Sequence, residues 1–396
     1  MRRLKVLHVH PYFKEIGGGS KVAAWMLEAL KADYDVALLT VEPFDLNSLN
    51  FFYHTTLKPT DLKVLLMPSV LRQIAKLDYQ PYSIQSLAFL IRIAKMTSRN
   101  YDIVMSTYNE LDLGCPAIQY IHYPWFASGY ATLNKDAPIV KKIRHLLKYD
   151  YRPWRLISGY DYERMKKNVT LVNSDWTGRK VEAFYGIKTK TIYPPVVGNF
   201  PNTPWAEREN GFVCIGRISH EKRIENVIAM LSEVKEQGHP IHLHIVAPLS
   251  SDRQTDYFNK IVHLVNERRS WISLHLNISR GELIQLIASH RYGIHGNIDE
   301  HFGIAVAELT VGGCIVFAPN RCGQVEIVAH NERLLYESVE DGREKIISVL
   351  TSANEQQRLI EALKPQKTAF TTQKFMSQIR ETAREFCALK NGRTNS

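Results

Sequence analysis

Residues 211–222 read Gly211-Phe212-Val213-Cys214-Ile215-Gly216-Arg217-Ile218-Ser219-His220-Glu221-Lys222, a short apolar run closed by glycine and followed by a basic loop. The run has the length and composition of a buried strand, and residues 224–236 beyond it carry helical spacing. The alternation continues, with strands expected at 241–246, 272–274, 292–295 and 315–318 and helices at about 252–265, 280–288 and 304–311 between them. Strand and helix in turn from 211 to about 350 predict a doubly wound parallel sheet. The chain also opens this way. Lys5–Val9 reads as a strand, Gly17-Gly18-Gly19-Ser20 as a loop, 21–30 as a helix and 36–40 as the next strand, which is the βαβ unit of another parallel sheet. Segments 102–105 and 117–121 read as later strands of that sheet, while 43–100 holds helical patterns and loops with no assigned place.

The length of 396 residues agrees with two domains. Proline cannot serve central strands, so Tyr193-Pro194-Pro195 through Pro201 and Pro204 marks the linker. The expected organisation is an α/β chain of two Rossmann-like, doubly wound parallel-sheet domains, 1–195 and 205–369, facing a central cleft. Residues 370–396 form a closing helix. Ligands of open α/β sheets bind at the carboxyl ends of the strands, so the chemistry is sought in the loops that follow them.

Composition excludes several classes. With 45% apolar and 23% charged residues the chain is globular rather than disordered. Its five cysteines form no CxxC pair, which argues against a disulfide framework or a zinc ribbon and for a reducing compartment. The basic N-terminus has its apolar stretch interrupted by His8, short of a signal-peptide core. The apolar run 87–91 ends at Arg92, far below the ~20 residues of a membrane span. The formal net charge of +10 lies wholly in residues 1–200, with 27 basic and 17 acidic side chains, whereas 201–396 balances at 23 of each. The first half therefore suits an anionic partner.

Four signals carry chemistry. In Asp299-Glu300-His301-Phe302-Gly303-Ile304-Ala305-Val306-Ala307-Glu308, Phe302-Gly303 turns the chain into a helix. Glu300 stands beside free backbone amides that can meet a phosphate, and Glu308 lies one to two turns further on. That arrangement suits a ligand offering phosphate and hydroxyls, as a nucleotide sugar does; the competing reading is an acidic loop and an ordinary helix glutamate. Arg217 and Lys222 follow a strand and suit the two phosphates of a pyrophosphate, against the default of two solvated cations. Gly17-Gly18-Gly19 allows close backbone approach, but lacks the GxGxxG spacing and the Walker lysine. His122 ends the strand in Gln119-Tyr120-Ile121-His122-Tyr123-Pro124 and faces the expected cleft. His8 and His10 read as packed residues. Asp33-Tyr34-Asp35 precedes a strand, at the wrong end of the sheet for a metal site, and no metal ligands are expected.

Taken in order, the Gly-rich loop, the histidine after a strand, the GR…EK loop and the glutamate pair resemble the retaining glycosyltransferases of glycosyltransferase family 4, which have the GT-B fold. The stretches Ile121-His122-Tyr123-Pro124, Val172-Asn173-Ser174-Asp175-Trp176-Thr177, Ile192-Tyr193-Pro194-Pro195 and Glu300-His301-Phe302-Gly303-Ile304 are most similar to the branch using GDP-mannose to extend lipid-linked oligosaccharide. The resemblance covers 1–40 and 115–330. It implies a metal-independent, retaining hexosyltransferase, mannose or glucose type, with no cofactor beyond a GDP- or UDP-linked donor. In this reading His122, Glu300, Arg217 and Lys222 are catalytic: Glu300 holds sugar hydroxyls, Arg217 and Lys222 the diphosphate, and His122 the transferred sugar. The donor also meets Gly18, Gly19, the amides of His301, Phe302 and Gly303, and Glu308 at the ribose. Ala247-Pro248 departs from the family's glycine after a strand, and Val311-Gly312-Gly313-Cys314 departs from its Ala-x-Gly-x-Pro, which reads as packing.

The implied acceptor is a glycan or lipid-linked glycan. No anchor is seen before the first domain, so the expected location is cytoplasmic, peripheral on the inner face of a membrane. Residues 135–167 carry a net +6 interleaved with Leu146, Leu147, Trp154, Leu156 and Ile157, a mixture suited to anionic lipid. Nucleic acid is not an expected partner, because no nucleic-acid module is recognised. Two other readings stay open: a GT-B epimerase, and a non-catalytic sugar-nucleotide or polyanion-binding protein.

Overall fold

A computed structural model describes residues 2–13, 17–76, 84–124, 151–248 and 256–394. The chain divides into two compact units, Met1–Pro195 with Thr372–Ser396, and Val196–Thr371. The second unit is therefore slightly wider than the 205–369 read from the sequence, and the C-terminal helix groups with the first unit.

The first unit holds a seven-stranded sheet of β1 (Lys5–Val9), β2 (Asp35–Thr40), β3 (Leu62–Leu66), β4 (Ile103–Ser106), β5 (Ile118–Ile121), β6 (Val169–Val172) and β7 (Lys190–Thr191). Its order is β3-β2-β1-β4-β5-β6-β7, and every pairing is parallel. Helices α1 (Gly18–Leu30), α2 (Asp175–Tyr185) and others cover it. The second unit holds β8 (Glu209–Ile215), β9 (His242–Ala247), β10 (Ile272–Leu276), β11 (His290–Ile294), β12 (Ile315–Pro319) and β13 (Leu335–Tyr336), ordered β10-β9-β8-β11-β12-β13. All its pairings are parallel too. Helices α3 (Ile224–Glu236), α4 (Arg280–Ser289) and α5 (Ile304–Val311) connect its strands, and α6 (Thr372–Thr394) returns to the first unit. Both sheets are doubly wound, as the alternation of apolar runs predicts.

The central strands are apolar almost without interruption because helices cover both of their faces. Phe212 on β8 stacks on Tyr292 of β11 with ring centroids 5.0 Å apart, and Phe317 of β12 lies 6.3 Å from Phe212. The helix starts follow local chemistry. Ser174 Oγ accepts from the Thr177 amide to cap α2, and Ser279 with Glu282 forms a reciprocal capping box on α4. Gly312 and Gly313 are packing positions. A Cβ on Gly312 would overlap Ile287, and one on Gly313 would lie 2.8 Å from the buried Arg208 guanidinium. Arg208 donates from Nη1 to the His290 carbonyl (3.2 Å) and from Nη2 to that of Gly312 (3.0 Å), tying the start of β8 to its neighbours.

Each strand order reverses once, at β1/β4 and at β8/β11. These switch points are where a doubly wound sheet opens a crevice beyond its carboxyl edge.

Candidate functional site

In the second unit the loops after β8 and β11 meet at the switch point. Lys222 ends a short turn, His220–Lys222, and its Nζ lies 2.6 Å from Glu300 Oε2. The same oxygen receives Asn297 Nδ2 at 3.0 Å and contacts His295 Nε2 at 3.2 Å. Burial pushes the Glu300 carboxyl upward. The His295 hydrogen bond and the Lys222 charge outweigh it and hold the carboxyl well below the usual carboxylate range. Glu300 is thus a fixed anion clamped by one cation and two hydrogen-bonding groups. His301 next to it is pulled down by burial and raised by the charges of Glu300 and Asp299.

Two glycines make this approach possible. A Cβ on Gly296 would lie 2.6 Å from the Lys222 carbonyl oxygen, so only glycine lets the two loops touch. Gly303 has φ 104°, a left-handed conformation that starts α5 directly behind Glu300. Phe302 is buried against Phe370, ring centroids 5.6 Å apart, so its side chain anchors the turn and leaves only its backbone to a ligand. His295 is fixed from behind, its carbonyl accepting from Tyr336 Oη and its amide donating to the Phe317 carbonyl (2.9 Å).

Glu308, buried on α5, pairs through Oε1 with Arg280 Nη1 at 3.0 Å. Arg280, at the start of α4, also donates to the Val197 carbonyl. Arg217 lies apart from these groups: it is exposed and pairs with Glu221 one turn on, at 3.2 Å. Of the residues named from the sequence, Glu300 and Lys222 meet directly and Glu308 pairs with Arg280, while Arg280, His295, Gly296 and Asn297 were not singled out. His295 ends the expected 292–295 strand and Gly296 and Asn297 follow it, and that place at its carboxyl end was the available signal.

In the first unit, Gly18 and Gly19 belong to the first turn of α1, capped by Gly17, rather than to a loop ahead of a helix at 21. The turn is glycine-rich yet helical because Lys21 N already donates to the Gly17 carbonyl at 3.0 Å. The closest neighbour of a Cβ built on Gly19 would be His122 Nε2, at 3.5 Å, so two of the sequence signals come together here. The His122 amide donates to Asn109 Oδ1 (3.0 Å), its carbonyl accepts from Asn173 Nδ2 (3.0 Å), and Nε2 contacts the Thr107 carbonyl (3.3 Å). His8 and His10 both reach Thr107 Oγ1, at 2.9 and 3.0 Å. Burial lowers His8 to about 3, and burial with the neighbouring His8 and His122 takes His10 well below its ordinary value, so both are uncharged near neutrality.

Much of the basic segment 135–167 lies outside the described residues, as does the chain beyond Ala247-Pro248 up to 255. In its described part Arg164 pairs with Asp112 at 3.0 Å and Lys166 with Glu163 at 2.8 Å, while Leu156 is 84% exposed. Among the described residues no helix is long and apolar enough to cross a membrane.

Two parallel, doubly wound units are the architecture of the GT-B fold, and comparison with solved structures agrees. Anabaena HepE in complex with UDP aligns over 96% of this chain and 100% of that one, with TM-score 0.65 and 15% identity. Sucrose-phosphate synthase from Thermosynechococcus elongatus aligns over 98% and 100%, with TM-score 0.68 and 14% identity. More particularly, residues 199–366, nearly the whole second unit, match the family Glycosyl transferases group 1, so the chain carries a glycosyltransferase group 1 domain. Similar curated proteins include the GDP-Man:Man(3)GlcNAc(2)-PP-Dol alpha-1,2-mannosyltransferases of Homo sapiens and Dictyostelium discoideum. The human protein is 22% identical over 94% of this chain and 85% of its own length. The Dictyostelium protein is 22% identical over 82% and 72%.

Proposed function

We propose that this glycosyltransferase transfers a hexose, mannose foremost, from a nucleoside-diphosphate sugar to a hydroxyl of a glycan or lipid-linked glycan, with retention of anomeric configuration and without a metal ion. The observation that carries the reading is the Lys222–Glu300 pair, an ionised carboxylate and an ammonium fixed 2.6 Å apart at the switch point of the second sheet. The carboxylate is held where sugar hydroxyls can donate to it, and the ammonium beside it can meet the diphosphate. Arg217, exposed on the same loop, is free to swing from Glu221 onto a phosphate, because an exposed ion pair of this kind is worth little. Glu308, oriented by Arg280, is assigned to the ribose, and the GDP-mannose named for the curated relatives makes guanosine the first base to try.

In this reading the acceptor hydroxyl attacks the anomeric carbon on the face from which the diphosphate departs. The bond to the phosphate oxygen breaks, the bond to the acceptor oxygen forms, and the departing phosphate oxygen takes the acceptor's proton. Lys222 and Arg217 stabilise the charge growing on the leaving group, the part that a divalent ion plays elsewhere. His122, with Gly18 and Gly19 beside it, is assigned to the transferred sugar and the phosphates. The acceptor is assigned to the first unit, whose positive charge and exposed Leu156 suit an anionic, membrane-borne glycan.

Proton NMR of the first product formed from an α-linked donor, with and without EDTA, tests the reading. An α-linked product at an unchanged rate in EDTA is expected; a β-linked product would overturn retention, and loss of activity restored by Mg²⁺ would overturn metal independence.

A further inference from the structure

The second sheet has a polar cluster at its other end, where the strands begin. His242 and His244 lie two residues apart on β9 and so share a face of the sheet. His290 starts β11, and β8 runs between the two strands. The imidazoles of His242 and His290 nevertheless meet, with their Nε2 atoms 3.0 Å apart. They do so because the residue beneath them on β8 is Gly211: a Cβ there would overlap His242 Nε2. One ligating atom from each of His242, His244 and His290 lies within 4.8 Å of the other two.

Each ring is already oriented by a partner behind it. His290 Nδ1 lies 2.7 Å from the Leu286 carbonyl, which fixes the proton on Nδ1 and leaves the Nε2 lone pair directed at the cluster. His244 Nδ1 is engaged by His275 Nε2 of β10 at 2.8 Å, leaving its Nε2 available. Glu209, at the start of β8, places Oε2 3.4 Å from His242 Nε2 and 3.9 Å from His290 Nε2. Tetrahedral ligation with bonds of 2.0–2.1 Å needs ligand atoms about 3.4 Å apart, and the separations among His242, His290 and Glu209 bracket that edge. His244 stands within 4.8 Å of the other two histidines, and the exposed Glu209 carboxylate has to turn toward His244 to close the set.

We propose that His242, His244 and His290, with the Glu209 carboxylate as fourth ligand, form a binding site for one divalent transition-metal ion of the zinc type. Three imidazoles and one carboxylate suit Zn²⁺ and its neighbours and not Mg²⁺ or Ca²⁺, which take oxygen ligands. Burial lowers all three histidines, His244 to about 4, so near neutral pH they are in the uncharged form that a metal requires. The site lies at the strand starts, whereas Glu300 and Lys222 lie beyond the strand ends, so the ion has no part in transfer. It ties the starts of β8, β9 and β11 together. Only His242 and His244 are close in the sequence, as a His-x-His pair on one strand; folding alone brings His290 and Glu209 to them.

The test uses the untagged full chain, freed of metal with a chelator and titrated with Co²⁺ and then Zn²⁺. One equivalent of Co²⁺ should bind with the strong visible absorption of a four-coordinate ion, and Zn²⁺ should displace it. At 100-fold excess over its Kd, Zn²⁺ should raise Tm by roughly 5–10 °C. His242→Asn and His290→Asn should weaken binding by at least roughly 100-fold, and His275→Ala, which removes only the support of His244, by roughly 10-fold. Glu209 is exposed, so Glu209→Gln should fold normally and still weaken binding. Less than half an equivalent of Co²⁺ bound, or binding and Tm unaltered in the His242, His290 and Glu209 variants, would overturn the site and leave a metal-free chain of imidazole hydrogen bonds.

Discussion

The two ends of the second sheet use the same residue type in opposite settings. Beyond the strand ends, His295 contacts a carboxylate that is itself clamped by Lys222, and the cluster holds a complete positive and negative charge. At the strand starts, His242 and His290 meet with His244 beside them, His275 backs His244 from further along β10, and burial keeps the first three uncharged. The contrast teaches how position along a parallel strand decides chemistry. At the carboxyl ends, long loops and the first turn of a helix supply charge partners and amides. At the starts, side chains on neighbouring strands have only each other, and a glycine such as Gly211 decides whether they touch.

If the charged end is the reactive one, Lys222→Ala should lower turnover by roughly 10³-fold, far more than the modest drop in melting temperature expected from leaving Glu300 with only His295 and Asn297 as partners. Steady-state rates beside a thermal melt check this, and wild-type rates would break the contrast between the two ends. Glu308→Ala should cost about 3 kcal/mol, read as a lower urea midpoint, because it leaves the largely buried Arg280 guanidinium without its carboxylate. Gly303→Ala should cost about 2 kcal/mol, since alanine must adopt φ 104° there, and should also disturb Glu300, whose Cγ lies 3.2 Å from the added Cβ.

The smallest expected effect is on pH dependence, and it separates the two ends. His242, His244 and His290 have folded-state values below the unfolded value near 6.5. Between about 4 and 6.5 the unfolded chain therefore binds more protons, and stability must fall as pH is lowered through that window. Glu300 is also depressed, but from a carboxylate's value, so its contribution is intact above the usual carboxylate range and is lost only at more acid pH. Urea midpoints from pH 7 to pH 4.5 should decline in the metal-free wild type and decline less in His244→Gln. An equal decline in both would show that the strand-start histidines do not govern it.

Much of the fold could be read from the sequence because the central strands are continuous apolar runs, buried on both faces. Four strands were missed. β3 is an edge strand whose Lys63, Val64 and Leu66 are exposed, β7 and β13 are two residues long, and β6 is a run of only four residues broken by Thr170. None of them leaves an apolar run long enough to recognise. In the site, Glu300 and Lys222 were readable because each follows a strand in the linear order. Arg280 was not, because a cation in the first turn of a helix looks solvated until folding sets it on Glu308. Gly296 was invisible for a related reason: its need for a bare Cα comes from the Lys222 carbonyl, which folding alone brings close.

The most direct test is nucleoside-diphosphate release from a panel of GDP-, UDP- and ADP-linked hexoses, with wild type and Lys222→Ala side by side. The account predicts release from at least one donor, GDP-mannose first, that is nearly abolished in the variant. Absence of binding and release with every donor, or equal release by the two proteins, would contradict it.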